Sequence, residues 1–179
     1  MRSLVETAAL WLERAIVTVL GTGFSPISPG TVASALTCVI IWFVPNALLW
    51  PGALLIIPAT FAGAWFSTRA IGVLAASSDP KFKKLRRPDP SAEDPDPVVI
   101  DEFVGQWLTL LAAPHTIPGF AVAFVMFRLF DVVKPFGIGK LQNMRAGWGI
   151  MMDDVGAGMA AAVAVYLVRF FLPTFMEMP

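Results

Sequence analysis

Five stretches of this chain are nearly free of charge: Val32–Trp50, Ala53–Ala76, Val98–Ala113, Ile117–Val133 and Val155–Leu172. A helix crosses a bilayer with roughly 20 consecutive apolar residues. The first two runs approach or exceed that length, and alternating all five across a membrane predicts a polytopic helical protein. Prolines at Pro45 and Pro58 fall inside these runs, the first near a run's end and the second where a kink is expected; a Pro-Asn…Pro-Gly turn, Pro45 to Gly52, joins the first two. Residues 1–20 show a different pattern. Leu4, Val5, Ala8, Leu12, Ala15, Ile16 and Val19 share one helical face, with Arg2, Glu6, Glu13 and Arg14 elsewhere. That is an amphipathic helix, lying in the membrane interface or packing its stripe on the rest of the protein. The acids inside it, and the lack of a small-residue cleavage site, argue against a signal peptide.

The polar intervals complete the layout. Gly21–Thr31, GTGFSPISPGT, is an irregular glycine- and proline-rich loop running into the first run's helix start, with Thr31 placed to cap it. Ser77–Pro97 carries Lys81, Lys83, Lys84, Arg86 and Arg87 followed by acids, and the positive-inside rule puts this exposed loop in the cytoplasm. The expected fold class is therefore all-α: about five membrane-embedded helices, an interfacial helix over 1–20, and one catalytic domain over 21–179 that includes the cytoplasmic loop 77–97.

Composition supports lipid as the solvent. The 179 residues are 56% apolar and 15% charged, with a mean hydropathy of +0.70, where soluble domains carry about a quarter charged residues. Net charge is zero, so nothing points to nucleic acid, and no protein partner is indicated. Cys38 is the only cysteine, which excludes a disulfide framework and a cysteine metal site.

The few charges are not scattered. Asp101 and Glu102 open the third run, Arg128, Asp131 and Lys134 close the fourth, and Asp153–Asp154 precede the fifth. With alternating spans these groups and the Gly21–Thr31 loop all fall on one side of the membrane, while His115 falls on the other. Each group has a plain structural alternative: acids decorating a helix start, a ladder of ion pairs three residues apart, or a cap. Together they read as chemistry. Carboxylates without cysteine or a nearby histidine suit a hard cation such as Mg²⁺, and lysine and arginine beside them suit a phosphate. A glycine-rich loop at a helix start presents N–H groups to an anion. A metal-dependent phosphomonoesterase acting on a lipid head group fits this set.

The motifs GTGFSPISPGT, VVIDEFVGQW, FRLFDVVKPFGI and GWGIMMDDVGAG, in that order, resemble those of the bacterial phosphatidylglycerophosphatase A family. The resemblance implies a magnesium-dependent enzyme that hydrolyses phosphatidylglycerophosphate to phosphatidylglycerol and phosphate, as a multi-pass inner-membrane protein with its site facing the cytoplasm. Carried onto this sequence, the family's acids fall on Asp101, Glu102, Asp131, Asp153 and Asp154, its basic position on Lys134, and its loop on Gly21, Ser25, Pro29, Gly30 and Thr31. Ala146 stands where the family often has glycine, Gly137 where it often has proline, and the head-group preference is left open by further departures at Leu141 and Gln142. The roles that follow are Asp101, Glu102, Asp153 and Asp154 as Mg²⁺ ligands, with Asp131 as a further ligand or the base that orients water. Arg128 and Lys134 neutralise the phosphate, and Thr22, Ser25, Ser28, Gly30 and Thr31 cradle it. A cation transporter and a non-catalytic membrane scaffold are the alternatives; the first predicts acids at mid-span and an inverted repeat, which the sequence does not show.

Overall fold

The structure, a computed structural model, describes residues 12, 13, 15–76 and 98–178. The basic loop 77–97 and most of the amphipathic stretch 1–20 therefore lie outside the described residues. Every regular element described is helical. In chain order they are α1 (Pro29–Trp42), α2 (Asn46–Ala53), α3 (Ile56–Ala76), α4 (Ile100–Leu110), α5 (Ile117–Val133), α6 (Gly147–Phe171) and α7 (Pro173–Met176), with 3-10 turns at Thr22–Phe24 and Pro135–Asn143.

Local chemistry sets the element ends. Pro29 occupies the first position of α1, where its missing N–H breaks no bond. Ser28, at φ 42°, takes the cap position expected of Thr31, although no side chain caps the helix. Thr116 caps α5 by accepting from the Gly119 N–H at 3.1 Å, and its hydroxyl donates to the Met176 carbonyl at 2.5 Å, which ties α7 to the start of α5. At the other end of α5, Pro135 forbids further helix and Lys134 turns the chain in the left-handed region, φ 48° and ψ 53°.

The helices run in alternating directions. Gly30 meets Glu102 at one end of the α1–α4 contact, and Ile41 packs with Leu110 at the other, so α1 and α4 run the same way. Val104 clusters with Met151, and the Thr109 hydroxyl reaches the Gly158 carbonyl at 3.2 Å, so α6 runs with α4. The opposite sense holds for α3, whose Gly63 faces Met151 while Thr68 Oγ1 accepts from Gly147 N at 3.0 Å, and for α5, whose Phe120 packs near Leu110 and Phe127 near Gly105. The starts of α1, α4 and α6 and the end of α5 consequently share one end of the bundle.

Close backbone approach holds that end together. A Cβ on Gly158 would sit 2.5 Å from the Gly105 carbonyl oxygen, and one on Gly105 would sit 2.5 Å from the Phe127 ring and 2.7 Å from the Asp154 carbonyl oxygen. Only hydrogen fits at either position, the small-residue packing that membrane helices use in place of hydrophobic burial.

Outside this seam the bundle is apolar to its surface: Phe61, Trp65, Val125, Leu129, Val132, Val163, Tyr166 and Phe170 all point outward. Helix lengths are uneven. Among the described residues α6 alone is long and apolar enough to cross a membrane by length and composition; Asn46–Ala53 with Ile56–Arg69 passes only if this pair, bent by 55°, is one span. The five-span expectation is not carried by these lengths, because prolines and turns cut the runs. Phe43–Pro45 ends α1 after 14 residues, about 21 Å against a hydrocarbon core of about 30 Å. The expected turn Pro45–Gly52 folds mostly as α2, with Pro51 inside it. Pro58 falls in the first turn of α3 rather than at a mid-helix kink.

Two substitutions test the packing. Gly158→Val should destabilise the fold by about 2–3 kcal/mol through overpacking, read as a lower midpoint of thermal unfolding in detergent. Ala146, at φ 51° and ψ −136°, holds a conformation that L side chains avoid; Ala146→Gly should raise stability by about 1 kcal/mol in the same measurement.

Candidate active site

Asp101 and Glu102 occupy the first turn of α4, and Asp154 lies about two turns into α6. The Gly105–Gly158 contact brings these two helices together, and one carboxylate oxygen from each of Asp101, Glu102 and Asp154 lies within 4.8 Å of the others. Burial is deep: Asp101 is 5% exposed, and Asp153 and Asp154 are each 3% exposed. Because α6 begins at Gly147, the Asp153–Asp154 pair sits inside the helix and caps nothing.

The end of α5 supplies the remaining charges. Asp131 lies close enough to act on Asp154, as do Glu102 and Asp153. The Arg128 guanidinium forms an ion pair with Asp131 at 2.8 Å. Lys134 reaches across to α6, where its Nζ donates to Asp153 Oδ2. The left-handed turn at Lys134 is what redirects the chain toward α6. Burial works against the Lys134 ammonium, but the hydrogen bond to Asp153 and the charges of Asp153, Asp154 and Asp131 outweigh it and raise its pKa above the ordinary lysine value. The ion-pair ladder within 128–134 is therefore half formed: Arg128 pairs with Asp131, but Lys134 leaves the ladder for Asp153.

Not all of the expected phosphate loop reaches the acids. Gly30 does, since Glu102 packs its carboxylate where a Gly30 side chain would be. The hydroxyls bond locally instead. Thr22 Oγ1 donates to the Thr18 and Val19 carbonyls at 3.0 Å each, Ser25 Oγ bonds the Ile27 carbonyl at 3.1 Å, and Ser28 Oγ pairs with Thr31 Oγ1 at 2.7 Å. Those four residues shape the loop, and Gly30 carries the contact. His115 stacks on Trp42 at 4.8 Å, at the opposite end of the bundle.

One polar residue within the VVIDEFVGQW motif, given no role from the sequence, joins the site. Gln106, fully buried, lies one turn beyond Glu102 on α4, and neither end of its amide has a hydrogen-bond partner. The i, i+4 spacing from Glu102 in an otherwise apolar helix is the signal that marks it.

The donor chemistry fits a hard divalent cation. Glu102 Oε2, Asp153 Oδ1 and Asp154 Oδ2 are buried carboxylate oxygens with no hydrogen-bond partner among the described residues. Buried ionised carboxylates are costly without a counter-charge, and an all-oxygen set of three acids matches Mg²⁺ rather than a softer metal.

Comparison with known proteins gives the family. The family model for phosphatidylglycerophosphatase A matches residues 86–169. A Bacteroides thetaiotaomicron protein named "Putative phosphatidylinositol-3-phosphatase" is 39% identical over 166 residues, covering 88% of this chain and 93% of the relative. Phosphatidylglycerophosphatase A of Escherichia coli is 33% identical over 155 residues, covering 86% of this chain and 81% of the relative. The Haemophilus influenzae protein of the same name is 38% identical over 89 residues, covering 47% of this chain and 53% of the relative. No solved structure matches the chain. Every acid of the cluster, with Arg128 and Lys134, falls inside the matched 86–169, and the chain is a phosphatase that belongs to the phosphatidylglycerophosphatase A family.

Proposed function

We propose that this phosphatase hydrolyses the terminal phosphomonoester of phosphatidylglycerophosphate, with Mg²⁺ as cofactor, at the cytoplasmic face of a bacterial inner membrane in which the bundle is embedded as a multi-pass protein. The observation that carries the reading is the meeting of Asp101, Glu102 and Asp154 within 4.8 Å, beside two cationic side chains. The apolar outer surface of the bundle supports embedding in lipid. Acids gathered where α4 begins, rather than midway along it, favour hydrolysis at the membrane surface over ion transport. A purely structural ladder would leave no carboxylate oxygen unbonded, whereas Glu102 and Asp154 each keep one.

In this mechanism Asp101, Glu102 and Asp154 would hold Mg²⁺, with Asp153 and Asp131 as the neighbouring acids. The bound ion supplies Lewis-acid polarisation of the phosphoryl group and an activated water. Lys134 and Arg128 take the phosphate oxygens. Each is already held by a carboxylate, Asp153 and Asp131 respectively, so their heads are positioned before substrate arrives. Asp131, at the edge of the cluster, accepts a proton from the water as its oxygen bonds to phosphorus; the bond from phosphorus to the glycerol oxygen breaks, and that oxygen takes a proton from solvent to leave as the hydroxyl of phosphatidylglycerol. The start of α1 at Gly30 closes the site beside Glu102.

Phosphatidylinositol 3-phosphate is the second substrate reading, favoured by the name of the relative at 39% identity. Phosphate release from both lipids in detergent, with EDTA and with restored Mg²⁺, separates the readings. The expected outcome is loss of activity in EDTA, recovery with Mg²⁺, and about tenfold or greater preference in kcat/KM for phosphatidylglycerophosphate. The reverse preference would move the assignment to the inositol lipid, and activity indifferent to EDTA would remove the metal. Asp101→Asn and Asp154→Asn should each lower kcat by on the order of 100-fold or more without loss of helical circular dichroism. Lys134→Gln should cut kcat/KM by about tenfold through the lost charge-assisted contact to phosphate.

A further inference from the structure

A second site lies on the other side of α6. Phe61, Trp65 and Arg69 follow one another at four-residue intervals, so they line one stripe of α3. Trp148, in the first turn of α6, meets Phe61 edge to face at 5.1 Å. Between them a groove of about 440 Å³ opens, with Arg145 joining Arg69 at its mouth. On an α-helix Trp148 stands about 140° from Asp153 and about 120° from Asp154, so this groove and the acid cluster open on different faces of α6.

Its charge is unbalanced. Arg69 is half exposed and shared with Glu13 at 3.1 Å. Arg145 is exposed and pairs with no acid among the described residues. Among the described residues no acid lines the groove, and Glu13, the acid on Arg69, stands outside its lining. Its walls are aromatic, and the stripe continues to the outward-facing Ile57 one turn before Phe61. Two guanidinium groups above an aromatic, lipid-facing channel match a diester phosphate with its acyl chains below. Tryptophan and arginine at this level also match the depth of lipid head groups. A choline or ethanolamine ammonium would find no carboxylate in the groove to balance it.

We propose that this groove binds an anionic glycerophospholipid, separate from the lipid that is hydrolysed. The proposal rests on the membrane placement given above but not on the catalytic assignment. Native mass spectrometry of the full chain released from detergent, with equimolar phosphatidylserine and phosphatidylcholine, tests it. Neither probe is a phosphomonoester, so neither stands in for the substrate. Wild type should retain the anionic lipid over the zwitterionic one by about tenfold. Arg145→Gln should reduce that preference to within about twofold, Arg145→Lys should keep a clear preference, and Asp101→Asn should leave it unchanged. Equal retention of the two lipids by wild type, or an undiminished preference in Arg145→Gln, would overturn the proposal. So would loss of the preference in Asp101→Asn, which would place the lipid in the acid cluster. Failure of the phosphatase reading would show instead in phosphate release, which this measurement does not use.

Discussion

The contact between Gly105 and Gly158 is the constraint on which the site depends. Two helices can bring carboxylates into a common cluster only if their backbones come closer than ordinary side chains permit. Here a Cβ at either position would strike a backbone oxygen of the other helix. The Thr109 hydroxyl, shared between its own helix and the Gly158 carbonyl, fixes the register of the crossing. With that register Asp154 falls level with the first turn of α4. A shift of one residue would rotate it by about 100° and take the carboxylate out of the cluster.

In the proposed lipid setting, that arrangement has a particular energetic logic. Apolar side chains gain little by facing one another when the surroundings are equally apolar, so small residues and hydrogen bonds hold helices together. The same medium penalises charge. The chain meets both conditions by confining its acids to one end of the bundle and setting Lys134 and Arg128 against Asp153 and Asp131. The pairing is incomplete at Glu102 and Asp154, each of which keeps an unbonded oxygen, and a cation held there would complete it. Binding a ligand only in the folded state adds stability by mass action, so a divalent ion would serve folding as well as catalysis.

Much of this was legible from residue order. Alternation of apolar runs was enough to gather the Gly-rich loop, Asp101–Glu102, Arg128–Lys134 and Asp153–Asp154 at one end, because the direction of each helix follows from its neighbours. Helix lengths were not legible. Hydropathy cannot see that Phe43–Pro45 interrupts an apolar run, or that α4 stops at Leu110 although the sequence stays apolar to Ala113. The partners of charged groups were also hidden. Spacing of three residues paired Arg128 with Asp131, but the left-handed turn at Lys134 sent the lysine to another helix. Hydroxyls in the Gly21–Thr31 loop looked available for phosphate because nothing in the sequence shows that they close the loop's own turns.

Gln106 extends the polar cluster inward. Its amide is fully buried and bonds to nothing, which would cost on the order of 1–3 kcal/mol for each unsatisfied group if nothing met it. Gly30 opposite Glu102 and Ile41 beside Leu110 anchor the α1–α4 contact at its two ends, and Gln106 lies midway between those anchors. At that level α1 buries Ser34 and Thr37, whose hydroxyls donate to their own helix at 2.9 Å each and retain lone pairs as acceptors. Side chains on α4 lean toward its start, so the amide is directed to the Glu102 side. Buried polar side chains on α1 and α4, Ser34, Thr37 and Gln106, thus continue inward from the level of the carboxylates.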